Sequence, residues 1–384
     1  MNPFDDTLNQ RLEALREQGL RRELRRVDSP QGPRIKIGGQ TCLNFSSNDY
    51  LGLANHPALK EAAIKAVEKF GAGAGASRLI CGSLAPFHEL EETLADFKKT
   101  EAALTFSTGC AAAIGTICAL LGKDDLVIID KLVHACIVDA ARLSGAKLRV
   151  FDHNDLNDLE KILTWAKSHI ANRKSQILVV TESIFSMDGD AAPLRKITEL
   201  KNKYGAWLMV DEAHATGLYG KSRRGLAEEL GVSEQIEIQM GTLGKALGAS
   251  GGYICGSRAL VDFLVNRARS FIFSTAPVPA AAAAASAGIR LVQSNEGKSR
   301  CNWLWELVRQ FDSKSASAII PILIGNESKA VAAAAKLREQ NVFIPAIRYP
   351  TVARGAARLR VTLTAAHSAE DVSELLAALN TLNQ

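Results

Sequence analysis

The chain has 384 residues, 47% of them apolar and 23% charged, an ordinary globular balance with enough length for a large core and two lobes. Its net charge of +5, from 46 Lys and Arg against 41 Asp and Glu, is mild and scattered, which argues against a nucleic-acid partner. No apolar run is long enough to span a bilayer, so no membrane association is expected.

In chain order, residues 4–26 have helical periodicity, and Asp28-Ser-Pro-Gln-Gly-Pro33 ends it. The same stretch is acidic and amphipathic at its start and lacks the apolar segment of a secretory signal. It carries the one dense basic cluster, Arg21, Arg22, Arg25 and Arg26, either a solvated helix face or a means of capturing an anionic substrate. Gly38-Gly39 between Ile35–Ile37 and Cys42–Phe45 signals a hairpin. From residue 57 onward, helical segments alternate with short apolar strands. These are expected at Ala103–Phe106, Leu126–Asp130, Lys147–Phe151, Ile177–Thr181, Trp207–Val210, Ile236–Met240 and Tyr253–Cys255. That alternation predicts an α/β domain with a mostly parallel sheet flanked by helices. Ala280–Ala285 is short and reads as a tightly packed helix. Beyond residue 285 the texture changes to helices at 298–311, 328–340 and 368–381, separated by short strands near 319–324, 342–346 and 357–363. The division expected is an N-terminal helix and hairpin arm (1–50), a large domain (51–285) and a smaller α+β domain (286–384). The seven cysteines are odd in number and show no C-x-x-C pair, which predicts a reduced, cytoplasmic protein with neither disulfides nor a metal site.

Three motifs carry chemistry. Trp207-Leu-Met-Val-Asp-Glu-Ala-His214 is a buried strand ending in an acid, with a histidine three residues on. Sites of open α/β sheets lie at the carboxyl ends of strands, which places Asp211 and His214 there. The Asp-Glu-Ala-His string also occurs in helicases, but the phosphate loop they require is missing. Met240-Gly-Thr-Leu-Gly-Lys-Ala-Leu-Gly248 puts Lys245 among small residues just past a strand, where a lysine can lose its proton and form a Schiff base. Phe106-Ser-Thr-Gly-Cys-Ala-Ala-Ala-Ile-Gly115 runs from strand to helix, and the amides at such a helix start suit a phosphate. Each motif alone has a structural alternative: a capping aspartate, a loop lysine, an ordinary strand–helix turn. Together and in this order they fit pyridoxal 5′-phosphate, which needs a Schiff-base lysine, a carboxylate at the ring nitrogen and a phosphate cradle. Gly71-Ala-Gly-Ala-Gly-Ala76 matches a dinucleotide fingerprint but follows a helix rather than a strand. It is read instead as a close pass beside a ligand or a partner subunit.

With those residues in place, the chain resembles the α-oxoamine synthases, fold-type I pyridoxal-phosphate enzymes that condense an amino acid with an acyl thioester. The likeness runs from about residue 10 to 380. Asn44-Phe-Ser-Ser-Asn-Asp-Tyr-Leu-Gly-Leu53, Ser183-Ile-Phe-Ser-Met-Asp-Gly-Asp190 and Arg358-Leu-Arg-Val-Thr-Leu-Thr-Ala-Ala-His367 favour the branch that joins L-alanine to a pimeloyl thioester in biotin biosynthesis. The alternatives are a sister synthase using glycine and acetyl-CoA, and a relative in which the fold only scaffolds a partner.

The resemblance implies roles residue by residue. Lys245 holds the cofactor and acts as acid and base, Asp211 pairs with the ring nitrogen, and His214 and Ser186 hold the phenolic oxygen. His134 stacks on the ring and helps to hold the substrate. Gly109, Cys110 and Thr242 bind the phosphate, and Ser274 and Thr275 reach it from a second subunit, which implies a homodimer with shared sites. Arg21, Asn48, Arg348 and Thr351 match substrate-binding positions. The acyl carrier is coenzyme A or acyl carrier protein. Two departures from the family's pattern stand out: Cys110, where a larger or aromatic side chain is usual, and a shortened segment between Phe311 and Ile319.

Overall fold

In the computed structural model of the chain, which describes residues 2–169 and 175–383, the first helix is Pro3–Glu17 and stops well before residue 26. Gly19 ends it. With φ at +65°, Gly19 lets its own amide reach Arg16 O and the Leu20 amide reach Leu15 O at 2.8 Å, satisfying carbonyls the helix leaves open. Arg21, Arg22, Arg25 and Arg26 therefore lie on non-helical chain, and the helix-face reading of that cluster is corrected.

The chain divides into two units. One comprises residues 1–50, 187–189 and 302–384. Its hairpin, Arg34–Ile37 with Gln40–Asn44, turns on Gly38 and Gly39, whose φ values of 59° and 83° are those of a tight turn matched to strand twist. Val342–Phe343 then pairs in parallel with Gln40–Asn44, so the N-terminal hairpin shares a sheet with C-terminal chain. A second sheet has the order Ile319–Gly325, Ala357–Thr362, Ala346–Ile347, all antiparallel. The shortened segment before Ile319 does not prevent this strand from forming. Helix Ala369–Asn380 begins in a capping box between Ser368 and Asp371, and Asp371 also pairs with Arg34 at 2.8 Å.

The other unit comprises residues 51–186 and 190–301 and is built on a seven-stranded sheet. Its strands are β1 (Ala102–Phe106), β2 (Leu126–Asp130), β3 (Lys147–Phe151), β4 (Ile177–Glu182), β5 (Trp207–Asp211), β6 (Ile238–Thr242) and β7 (Gly252–Gly256). The order is β1-β7-β6-β5-β4-β2-β3, parallel except for β7, which runs antiparallel to both neighbours. Continuous apolar runs explain the burial: every residue of β2 is buried, as expected for strands covered on both faces. Ile117, Val127, Ile129, Leu178, Val180 and Met209 form the heart of the core at 1% exposure or less. Each contributes about 1.5–3 kcal/mol by burial. The domain boundary expected at residue 285 falls inside helix Pro279–Gln293, whose whole length lies in this unit. No helix among the described residues is long and apolar enough to cross a membrane.

Candidate active site

The carboxyl ends of β2, β4, β5 and β6 face one end of the larger unit, and the chemistry-bearing side chains gather there. Asp211 is the last residue of β5 and is 6% exposed. One of its carboxylate oxygens accepts the Ala213 amide at 2.9 Å. Burial raises its pKa, while the Lys245 ammonium opposes the rise. His214 follows on the same turn, and its Nε2 stands 2.6 Å from Lys245 Nζ. Lys245 sits in the turn after β6, which is closed by the Leu243 amide on Gly251 O and the Gly248 amide on Lys245 O, both at 2.9 Å. Gly248 is required there: its φ is +68°, and an added Cβ would come within 2.6 Å of Leu53 Cβ.

Helix Gly109–Leu120 starts beside this turn. Thr108 caps it, its hydroxyl accepting the Ala111 amide at 3.0 Å and its carbonyl the Ala112 amide at 3.1 Å. The amides of Gly109 and Cys110 are thereby left for an outside acceptor. A Cβ on Gly252 would lie 2.5 Å from Thr108 O, so only glycine lets β7 pass this close to the helix start. Cys110 is exposed, and its backbone donates whatever its side chain. The Thr242 hydroxyl donates to Gly251 O at 2.9 Å and receives the Gly244 amide at 3.3 Å, so it would have to turn to serve a phosphate.

His134 caps helix Ala135–Leu143, with Nδ1 accepting the Cys136 amide at 3.2 Å. Desolvation on its inner side pushes its pKa below the ordinary value, with Asp211 opposing. The neutral ring with Nδ1 as acceptor carries its proton on Nε2. Its backbone amide donates to Glu182, and the Ser186 amide donates to the other oxygen of the same carboxylate at 3.2 Å. Sequence reading passed over Glu182, which lies one residue beyond the expected strand Ile177–Thr181 and ends the observed one. Ser274 and Thr275 lie elsewhere in this unit, on a segment bridged to Ser77, and no described hydrogen bond joins them to Gly109 or Cys110.

The four candidate substrate residues belong to the smaller unit. Arg21 and Arg348 line a cavity of about 610 Å³ together with Arg16, Arg22, Arg25 and Arg338. Arg348 donates to Arg21 O at 2.6 Å, and partial burial followed by repulsion from Arg22 and Arg25 lowers its pKa. Thr351 closes a turn on Arg348 O at 3.0 Å. Asn48 is held apart from that cavity, accepting from Arg360 at 3.1 Å. Arg360 is 7% exposed and Arg358 8% exposed, two buried guanidiniums two residues apart on one strand face that sequence reading did not single out.

Nothing in this arrangement conflicts with pyridoxal phosphate. A lysine, a buried strand-end carboxylate and two outward amides at a helix start form the donor set that group requires.

A family model described as aminotransferase class I and II matches residues 40–379. The 8-amino-7-oxononanoate synthase of Anaeromyxobacter dehalogenans is 48% identical over 97% of this chain and 94% of that protein. The enzyme of the same name from Geobacter sulfurreducens is 48% identical over 96% and 95%. Among solved structures, a serine palmitoyltransferase variant from S. paucimobilis, with a bound PLP–myriocin aldimine, superposes with a TM-score of 0.92 at 28% identity, covering 98% of this chain and 97% of that one. An 8-amino-7-oxononanoate synthase from Francisella tularensis superposes with a TM-score of 0.75 at 28% identity, covering 88% and 97%. The fold is thus the fold-type I transferase fold, and the chain belongs to the class I and II aminotransferase family and, within it, to the 8-amino-7-oxononanoate synthases.

Proposed function

We propose that the chain catalyses the pyridoxal-phosphate-dependent condensation of L-alanine with a pimeloyl thioester, releasing CO₂ and the carrier thiol and giving 8-amino-7-oxononanoate for biotin synthesis. The observation that carries the reading is Lys245 Nζ set 2.6 Å from His214, on the strand ends that also bear the buried Asp211. The kinship with the oxononanoate synthases supports the choice of product.

In this reading Lys245 would carry the cofactor, Asp211 would take its ring nitrogen, His214 and Ser186 its phenolic oxygen, and Gly109, Cys110 and Thr242 its phosphate. The bound group supplies an electron sink for the charge that develops at the substrate Cα. Lys245 then serves as base, taking the Cα proton of alanine, and later returns one as acid. His134, neutral and with its proton on Nε2, would lie against the bound cofactor and would offer that N–H to the substrate. Asp211 stays close to Lys245 and keeps positive charge on the ring side favourable. A guanidinium holds the alanine carboxylate in a bidentate grip. Arg348 is the proposed partner, and Arg360 is the competing choice because it already holds Asn48. Arg21 and its basic neighbours suit the distal carboxylate of the acyl chain.

We further read the protein as a cytoplasmic homodimer in which Ser274 and Thr275 complete the partner's phosphate site, with coenzyme A or acyl carrier protein delivering the acyl group. The test is a matrix of L-alanine, glycine and L-serine against pimeloyl, acetyl and palmitoyl thioesters, followed by carrier release. Highest kcat/KM for alanine with the pimeloyl thioester is expected. A preference for glycine with acetyl-CoA would move the chain to a sister activity and leave the cofactor roles standing.

A further inference from the structure

Glu182 is a buried acid to which the mechanism above gives no role. It ends β4, is 2% exposed, and pairs in register with Asp211 at the end of β5. Burying a carboxylate in this position is costly unless its oxygens are satisfied. Both are. One accepts the backbone amide of His134, at the start of helix Ala135–Leu143. The other accepts the backbone amide of Ser186, in the turn that follows β4, at 3.2 Å. A single side chain therefore ties together two separate loops, those of His134 and Ser186, and does so beside the strand end that bears Asp211.

We propose that Glu182 is a positioning residue, fixing the loops of His134 and Ser186 relative to one another through one carboxylate. This rests on the cofactor reading for its purpose but not for its geometry. Both oxygens are committed to amides, so Glu182 is unsuited to act as an acid or base on substrate. Its surroundings agree with a fixed internal role. Burial first, and then the neighbouring Asp211, push its pKa up to about 8, while Lys245 and the two amides hold it down. The length of the side chain matters as much as its charge. A shorter acid starting from the same backbone cannot span to both amides, and an amide side chain has one acceptor where two are needed.

Two variants distinguish this from a merely electrostatic effect of one buried acid on Asp211. Glu182→Gln mimics a protonated, neutral Glu182 but turns an NH₂ group toward one of the two donor amides. Glu182→Asp keeps the acid and loses the reach. In the cofactor-free protein, amide hydrogen exchange should accelerate at Ser186 or His134 in both variants, with peptides from β5 and β6 exchanging as in the wild type. On titration with pyridoxal phosphate, affinity should fall about two- to tenfold, the loss expected for one ordinary hydrogen bond. The pH midpoint of the cofactor's visible band should also shift in both. Wild-type exchange at both amides in Glu182→Gln, or wild-type cofactor affinity in that variant, would overturn the proposal. Should Glu182→Gln fail to fold, Glu182→Asp is read by the same exchange measurement. A wild type that binds no pyridoxal phosphate would defeat the functional reading, and the exchange result would still decide the role of Glu182.

Discussion

At the scale of single residues, function rests on which charges the fold keeps out of water. Asp211 is buried yet close to Lys245, so its charge is best used by a cationic ring nitrogen placed against it. Asp211→Asn should preserve the fold, since the amide oxygen can still accept from Ala213, and should lower kcat at least about a hundredfold. Circular dichroism and steady-state kinetics on the same preparation check both halves. The arginines set a second contrast. If Arg348 holds the alanine carboxylate, Arg348→Ala should raise the KM for alanine more than Arg360→Ala does, and Arg21→Ala should chiefly weaken use of the pimeloyl thioester. The opposite order between Arg348 and Arg360 would transfer the carboxylate to Arg360, which already shares Asn48. Asp211, His214 and Lys245 were legible in the sequence because each stands in a short local motif whose strand, turn and glycines read together. Glu182 and Arg360 were not, because their meaning comes from partners 48 and 312 positions away.

At the scale of elements, buried polar pairs lock the strand ends that carry the site. Lys98, 1% exposed at its side chain, donates to Glu212, directly after Asp211, and to Arg224 O at 2.6 Å. Although desolvation, the largest influence, pushes its pKa down, Glu212 together with Tyr253 and Cys255 outweighs that and raises it. Lys98→Met would strand the Glu212 carboxylate in the core and should cost about 3–5 kcal/mol in denaturant unfolding. Lys98→Met combined with Glu212→Gln should recover part of that loss. A second clamp is His153, whose ring nitrogens meet Asp130 at 2.9 Å and Asp190 at 2.8 Å. Partial burial lowers its pKa, but the bonds to the two aspartates outweigh this and raise it from 6.5 to about 10. The folded state thus holds a proton that the unfolded state gives up across that interval. The stabilisation is complete below pH 6.5 and is lost as pH rises through 10. Unfolding free energy measured against pH should decline over this window in the wild type, and His153→Gln should flatten the decline. The strands of the large sheet were legible because continuous Val, Ile and Leu runs admit few other readings. The N-terminal helix was overextended because its periodicity continues past Gly19, and only the positive φ there, with two capping hydrogen bonds, stops it.

At the scale of the whole molecule, the two units are assembled from chain segments that sequence order does not group. Val342–Phe343 pairs with Gln40–Asn44, so the N-terminal hairpin belongs with the C-terminal segment, a long-range pairing no local pattern announces. The shared-site reading makes a prediction at this scale as well. Lys245→Ala and a Ser274→Ala/Thr275→Ala double variant, each inactive alone, should regain part of the activity when mixed under conditions of subunit exchange. Each mixed dimer would then hold one site free of both defects and one site bearing both. No recovery despite exchange shown by native mass spectrometry would count against a site completed by the partner. Whether Lys245 carries the cofactor is decided by borohydride reduction followed by peptide mapping. A yellow protein that bleaches on reduction, with a pyridoxyl adduct on the peptide containing Lys245, is expected. An adduct on a different lysine, or none on a protein that still turns over substrate, would contradict it.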